Sequence, residues 1–236
     1  MHVSLMSLHE RQQEEKEQRR RSILDAAETV LAERGRDDMT MGAIASEARL
    51  SRSLLYVYFE DMDDIMLAVT LRAFQALAER FESAEKAHPM GLKKIRAIGE
   101  AYVQFAEDEP TYFDLVAQFE AQEVNPATST DRERACLSAS EHVLTIMVNA
   151  IQTGIDDGSM RPDLDPLQTA LILWGHTHGL IQLASHKSAG MESRYNVAPQ
   201  DLLRMGLDFE GIALTGHSGA RATYSQAEVE VMGTAS

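Results

Sequence analysis

A single cysteine in 236 residues leaves Cys136 no intramolecular partner, so the chain is not built on a disulfide framework and suits a reducing compartment. At helical spacing beside Ala135 and Ala139, Cys136 reads as a packed side chain without a redox role. Long apolar runs are missing too. The most apolar stretch, residues 170–184, holds Gln182 and two histidines and is too short to cross a bilayer. The polar, charged run from His9 to Arg21 stands where a secretory signal would need an apolar segment, so a soluble, cytoplasmic protein with no membrane partner is expected. No nucleophile elbow, phosphate-cradling glycine loop or HExxH pair appears, and an enzyme is not expected. His176 and His178 are two apart on a helix and point to different sides. No Asp, Glu, His or Cys joins them at ligand spacing, so neither a metal nor another cofactor is expected.

What is present is concentrated in residues 40–59, TMGAIASEARLSRSLLYVYF. Ile44, Ala45 and Ala48 fall at i, i+1 and i+4, one buried face of a short helix, and Thr40 is placed to cap its N-terminus. Leu50 plugs the turn that follows. Ser51 caps a second short helix, because its hydroxyl can accept from a backbone N–H two or three residues on, and the first turn of that helix exposes Arg52 and Ser53. An arginine there can bond a guanine edge in a bidentate way and a serine can bond a base edge or a phosphate. Tyr56 and Tyr58 can donate hydroxyls to phosphate oxygens. A short helix, a tight turn and a second short helix with these side chains is the arrangement that places one helix in a DNA major groove.

Upstream, Ile23, Ala26, Ala27, Val30 and Leu31 form the stripe of an amphipathic helix, and Gly35 stands where a C-cap glycine would. Downstream, Leu67, Leu71, Phe74, Ala78 and Phe81 form a longer stripe with no proline or glycine inside it, which predicts a fourth helix of about five turns. The run Glu10–Arg21 reads as a solvated extension of the first helix or as an arm whose Arg19–Arg21 cluster touches a phosphate or the minor groove. Charge is divided along the chain. The formal net charge is −15, yet residues 1–60 carry 9 Lys and Arg against 11 Asp and Glu, leaving 13 against 26 for the remainder. An acidic distal body either favours one docking orientation on DNA or simply maintains solubility.

These residues resemble the DNA-binding domain of the TetR family of bacterial transcriptional regulators. The family's Ile-Ala pair, following Ala, small apolar residue with Ser, and Tyr-x-Tyr-Phe end are matched by Ile44-Ala45, Ala48, Leu50-Ser51 and Tyr56-Val57-Tyr58-Phe59, and the resemblance covers about residues 19–80. It implies DNA contacts from Thr40, Arg49, Ser51, Arg52, Ser53, Leu54, Tyr56 and Tyr58. Three residues depart from the pattern. Arg49 replaces a turn glycine, and if it must take a left-handed conformation the strain is about 1 kcal/mol or more. Leu54 replaces a common Thr, so it either meets a thymine methyl or packs inward. Met62 stands where a Lys often reaches a phosphate, which removes one backbone contact unless Arg52 or the Arg19–Arg21 cluster compensates.

The rest of the chain reads as helices near 91–108, 110–122, 130–156, 165–187 and 199–214. They are separated by Pro89, Pro110, Pro126, Gly158 with Pro162, and Pro199, and there is no strand pattern. Residues 167–184 are apolar around most of the helix, with Leu167, Leu171, Trp174 and Ile181 on one side and Ala170, Leu173, Leu180 and Ala184 on another. Such a helix is buried twice, once in its own protomer and once against a second subunit. Gly175 and Gly179 permit close approach, and Leu202, Met205, Gly206, Phe209 and Ile212 supply a second stripe. A homodimer joined by a four-helix bundle is expected, as in TetR-like proteins, with candidate interface residues Leu171, Gly175, Gly179, Leu202, Met205 and Phe209. Candidate lining residues for an effector pocket are Tyr102, Phe105, Tyr112, Phe113, Phe119, Met147, Trp174 and His178, together with Leu115.

The expected fold is therefore all-α: an N-terminal three-helix DNA-binding domain with a helix-turn-helix, joined by a long helix to a C-terminal helical ligand-binding and dimerisation domain. Residues 1–18 form a charged extension, 19–79 the DNA-binding domain, 80–214 the effector-binding and dimerisation domain, and 215–236 a disordered tail. The expected function is a dimeric, ligand-responsive regulator of transcription, a repressor in most proteins of this kind, binding palindromic double-stranded DNA and released by a small-molecule effector. Two alternatives stay open: an all-helical small-molecule-binding protein with a degenerate DNA-reading module, and a helical enzyme using the His176–His178 region.

Overall fold

The computed structural model describes residues 8–36, 38–125 and 127–216. Pro126, one of the expected helix separators, and the expected tail beyond Gly216 lie outside the described residues. Among the described residues the chain forms helices α1 (Leu8–Arg34), α2 (Met41–Glu47), α3 (Arg52–Tyr58), α4 (Met62–Lys86), α5 (Gly91–Asp108), α6 (Pro110–Glu120), α7 (Asp131–Asp156), α8 (Pro166–Tyr195) and α9 (Pro199–Thr215). The run Glu10–Arg21 is helical and continuous with the stripe of α1, which buries Ile23, Ala26, Ala27, Val30 and Leu31. α1 ends at Gly35, whose φ of +75° carries the chain out of the helix while its N–H bonds back to Leu31.

α4 links the three N-terminal helices to the body. It is capped by Asp61, whose side chain accepts from the Asp64 N–H, and its 25 residues make about seven turns where the sequence stripe indicated five. Its buried face is also wider than that stripe. α4 packs on α5 and α7 and also touches α1 and α6, so Ile65, Val69, Ala73 and Leu77 are buried while Leu67 and Leu71 lie at the edges. α7 starts with a complete capping box: the Thr130 hydroxyl accepts from the Glu133 N–H, and the Glu133 carboxylate accepts from the Thr130 N–H.

α5 has no side-chain cap of its own, and the turn after α7 supplies one from a distance. The Gly91 N–H donates to Asp157 at 2.8 Å and the Leu92 N–H to the Ser159 hydroxyl at 3.1 Å. The two helices come so close here that a Cβ on Gly91 would lie 2.0 Å from the Gly154 nitrogen. α8 runs past the expected end at residue 187 to Tyr195. No proline interrupts it, and the stop is Asn196, which takes a left-handed conformation at φ 52°. No helix among the described residues is long and apolar enough to cross a membrane.

Candidate DNA interface and effector cavity

The turn between α2 and α3 is built by two caps and one strained residue. The Thr40 hydroxyl accepts from the Ala43 N–H at 3.1 Å and the Ser51 hydroxyl from the Leu54 N–H at 3.3 Å, fixing where each helix begins. Arg49 adopts φ 56°, the left-handed conformation its place in the turn requires, so this chain carries the strain that glycine would avoid. Behind the turn Ile44, Ala45, Leu55 and Phe59 are buried. In front, Ser51, Arg52, Ser53, Tyr56 and Val57 are exposed on one end and face of α3, with Tyr56 at 51% and Val57 at 69%. The aliphatic stem of Arg52 runs beside Gly42, where a Cβ would lie 3.8 Å from Cδ, leaving the guanidinium at the surface. Leu54 and Tyr58 are half-buried, and Met62 packs against the core.

The Arg19–Arg21 cluster does not act as one unit. Arg20 lies over the Phe59 ring at 4.9 Å and Arg132 of α7 over the same ring at 5.6 Å. Arg132 also pairs with Asp64, so α7 holds the junction between α3 and α4. Arg19 and Arg21 remain exposed.

A second set of contacts ties α1 to the body. Arg72 of α4 bonds Asp25 at 2.7 Å and Glu28 at 2.9 Å, and donates to the Arg21 carbonyl at 3.3 Å. Glu28 also accepts from the Tyr112 hydroxyl of α6 at 2.8 Å. Burial, and then the hydrogen bond to Glu28, raise the Tyr112 pKa above its ordinary value, so the phenol stays protonated and donates. The adjacent residue, Phe113, faces the body's interior and stacks on His178 at 4.9 Å. One helix thus touches the DNA-reading module with Tyr112 and the aromatic interior with Phe113.

That interior is a cluster of rings. Tyr102 stacks on Trp174 at 4.8 Å, Phe81 meets both edge-on, and the Tyr102 hydroxyl shares a 2.8 Å hydrogen bond with His178 Nδ1. The Gln182 amide nitrogen lies 3.0 Å from the other ring nitrogen. Burial lowers the His178 pKa and raises that of Tyr102, which keeps both groups uncharged. A void of about 10 Å³, room for a single water, lies among Phe81, Tyr102, Met147, Trp174, Thr177 and Glu210. Of the expected pocket residues, Tyr102, Met147 and Trp174 line the void, while Phe113 and His178 sit in the ring cluster behind it. Phe119 packs edge-on against Phe74, Phe105 lies beneath Arg80, and Tyr112 belongs to the α1 contact.

Sequence reasoning missed Glu210. It is a buried acid on α9, yet it falls in register with Leu203, Gly206, Leu207 and Leu214 on the helix face that packs inward, and that register is the signal. Cys136 is buried, donates to the Leu67 carbonyl at 3.3 Å, and has its pKa pushed up to about 11 by burial, so its thiol is unreactive. Among the described residues no group of three or more His, Cys, Asp and Glu could hold a metal ion.

On the outside, α8 and α9 leave apolar faces uncovered. Leu167, Leu171, Ile172 and Leu183 of α8 are exposed, as are Met205, Phe209 and Ile212 of α9, while Ala170, Leu173, Thr177, Ile181 and Ala184 face inward. Trp174 and Ile181, grouped by sequence with Leu167 and Leu171, turn toward the core instead. A Cβ on Gly175 or Gly179 would meet nothing within 4 Å, whereas one on Gly206 would strike Leu180 at 2.1 Å, so Gly206 serves the contact between α8 and α9 within one protomer.

A rigid helix-turn-helix with a polar, exposed second helix, tied by one long helix to an all-helical body with an aromatic interior, defines a DNA-binding regulator of transcription. Residues 23–69 match the domain described as "Bacterial regulatory proteins, tetR family" and residues 95–208 the "Tetracyclin repressor-like, C-terminal domain". The chain belongs to the TetR family. It is 26% identical over 178 residues to an uncharacterised HTH-type transcriptional regulator of Mycobacterium tuberculosis, covering 72% of this chain and 68% of that one. A Rhodococcus protein of unknown function has a similar fold at TM-score 0.70 and 21% identity, covering 84% of this chain and 96% of that one. The Bacillus subtilis regulator FadR in complex with stearoyl-CoA is similar at TM-score 0.61 and 18% identity, covering 84% and 98%.

Proposed function

We propose that this chain is a cytoplasmic, non-enzymatic repressor that binds a palindromic operator as a homodimer and is released when a small molecule enters its body. Residues 19–79 are the DNA-reading unit, residues 80–214 bind the effector and the second subunit, and residues 1–18 are a charged extension. The observation that carries the reading is the face of α3. Arg52, Ser53 and Tyr56 stand exposed on a helix whose start is fixed by Ser51 and whose back is anchored by Leu55 and Phe59. Thr40, Arg49 and Ser51 flank that face and serve phosphates. Tyr58 and Leu54, half-buried, lie at its margin.

Dimerisation places the exposed faces of α8 and α9 against their copies in a four-helix bundle, with Gly175 and Gly179 at the crossing. Leu171, Met205 and Phe209 pack around it, and Leu202 sits at the edge. The two α3 helices would then reach successive major grooves about 34–36 Å apart. The solved relative holding stearoyl-CoA supports a ligand in the body, since its fold is the same. The ring cluster around Tyr102, Trp174, Phe113 and His178, with Met147 to one side, is where an effector enters here. Because Tyr112 and Phe113 are adjacent on α6, an effector that displaces Phe113 moves the Tyr112–Glu28 contact and with it α1. Only a ligand that binds the two arrangements unequally can shift them.

Substituting Arg52 tests the reading. In competition binding against single-base variants of a retained duplex, Arg52→Ala loses about 1–3 kcal/mol of discrimination at one base pair in each half-site. Tyr56→Phe weakens all duplexes alike. An unchanged base preference in Arg52→Ala would show that α3 does not read sequence.

A further inference from the structure

Glu210 is the one carboxylate in the wall of the aromatic void, and its side chain is only 8% exposed. Its two hydrogen bonds both end on the same oxygen: the Thr177 hydroxyl donates to Oε1 at 2.7 Å and His176 Nδ1 lies 2.8 Å from it. Oε2 receives no hydrogen bond from the described residues. A carboxylate has room for about four acceptor contacts, and among the described residues no side-chain N or O atom sealed from solvent lacks a partner, so Oε2 stays open to water or to a ligand. No Lys or Arg lines the void. The remaining wall includes the stacked faces of Tyr102 and Trp174 and the edge of Phe81, surfaces whose negative π-faces attract cations.

Glu210 also borders a second space. A groove of about 380 Å³ between α5 and α9 is lined by Leu92, Ile95, Leu207, Ile212 and Leu214, and Glu210 and Ile95 are shared between groove and void. Of the two basic residues that line the groove, Lys93 is exposed and Arg96 is occupied by Glu100 at 2.7 Å and Asp208 at 2.5 Å. A molecule entering along the apolar groove therefore meets a buried acid before it reaches the rings.

We propose that Glu210 and the Tyr102–Trp174 pair form the recognition end of the effector site, and that the effector is an apolar amine: a ligand with an ammonium group on a hydrocarbon or aryl body. The nitrogen donates to Oε2 of Glu210 and lies against the ring faces, and the apolar body fills the void and groove. Met147, unbranched with several rotatable bonds, gives way to enlarge the void. An anionic head group in the void would face the Glu210 charge where no Lys or Arg lines the wall. The inference rests on the regulator reading and adds the chemical class of its ligand.

Trp174 is the sole tryptophan, so its fluorescence reports this site directly. The test titrates the full chain with 4-phenylbutylamine, 4-phenylbutanol and 4-phenylbutyrate, three probes that differ only in the head group. The amine should quench or shift Trp174 emission saturably and bind at least tenfold more tightly than the alcohol, with the acid weakest. Glu210→Gln keeps an oxygen for Thr177 and should erase the preference for the amine over the alcohol. Thermal melts of the variant check that it folds, and the ranking in the unaltered protein stands without it. Equal or tighter binding of the acid, no binding by any probe, or an undiminished preference in Glu210→Gln would overturn the proposal. Measuring retention of duplex DNA beside each titration separates the two readings. Release of DNA by the acid or alcohol alone removes the amine and keeps the regulator. Amine binding that depends on Glu210 in a protein that retains no duplex removes the regulator and keeps the amine.

Discussion

At the residue scale, Arg49 shows how a local rule can be broken in place. The turn between α2 and α3 needs a left-handed residue, and Arg49 supplies it at φ 56° against the chirality of an L side chain. Strain of about 1–2 kcal/mol is offset in part because glycine would lose more backbone freedom on folding. Arg49→Gly should therefore raise the unfolding free energy by about 0.5–1 kcal/mol in chemical denaturation, while lowering affinity for every duplex by the loss of one cation near the phosphates. The caps Thr40 and Ser51 were legible because each depends on chemistry within four residues of chain. The partners of Glu210 were not, because Thr177 and His176 come from α8, more than thirty residues away in sequence.

At the element scale, glycines mark where helices meet and where they wait to meet. Gly91 sits with its Cα against the backbone of Gly154, and backbone cannot rotate aside. Gly91→Ala should force α5 and α7 apart and cost about 3 kcal/mol of stability, seen as a large fall in the denaturation midpoint. Gly179 faces open space in the protomer, so Gly179→Ala should stabilise α8 by up to about 1 kcal/mol through helix propensity. The same change should loosen the dimer at least tenfold in sedimentation equilibrium, because the added methyl would hold the facing helices apart. A dimer undisturbed by Gly179→Ala would place the subunit contact elsewhere. The starts of two body helices were readable from Pro110 and Pro199, which stand at their first positions. The end of α8 was not. No proline lies between residue 187 and Tyr195, and the left-handed Asn196 stops the helix. The apolar circumference of α8 indicated burial on two sides, but the phase that turns Trp174 inward and Leu171 outward is set by packing against α7 and α9.

At the scale of the whole molecule, charge and linkage decide how the parts act together. Net charge is near balance over residues 1–60 and strongly negative beyond them, so most of the acid lies away in sequence from the reading helix. Two clamps join the N-terminal helices to the body. Arg72 and Tyr112 hold α1 through Asp25 and Glu28, and Arg132 holds the end of α3 through Phe59 and Asp64. Neither clamp was visible in sequence, since each joins residues from separate helices. The central claim is that the exposed face of α3, duplicated by a dimer, reads a palindrome. The most direct measurement is selection of random duplex DNA by the purified protein at two salt concentrations, with sequencing of what is retained. The account predicts enrichment of an inverted repeat with half-sites about 10 base pairs apart, centre to centre, held less tightly at the higher salt. Retention of no preferred sequence at either salt would contradict it.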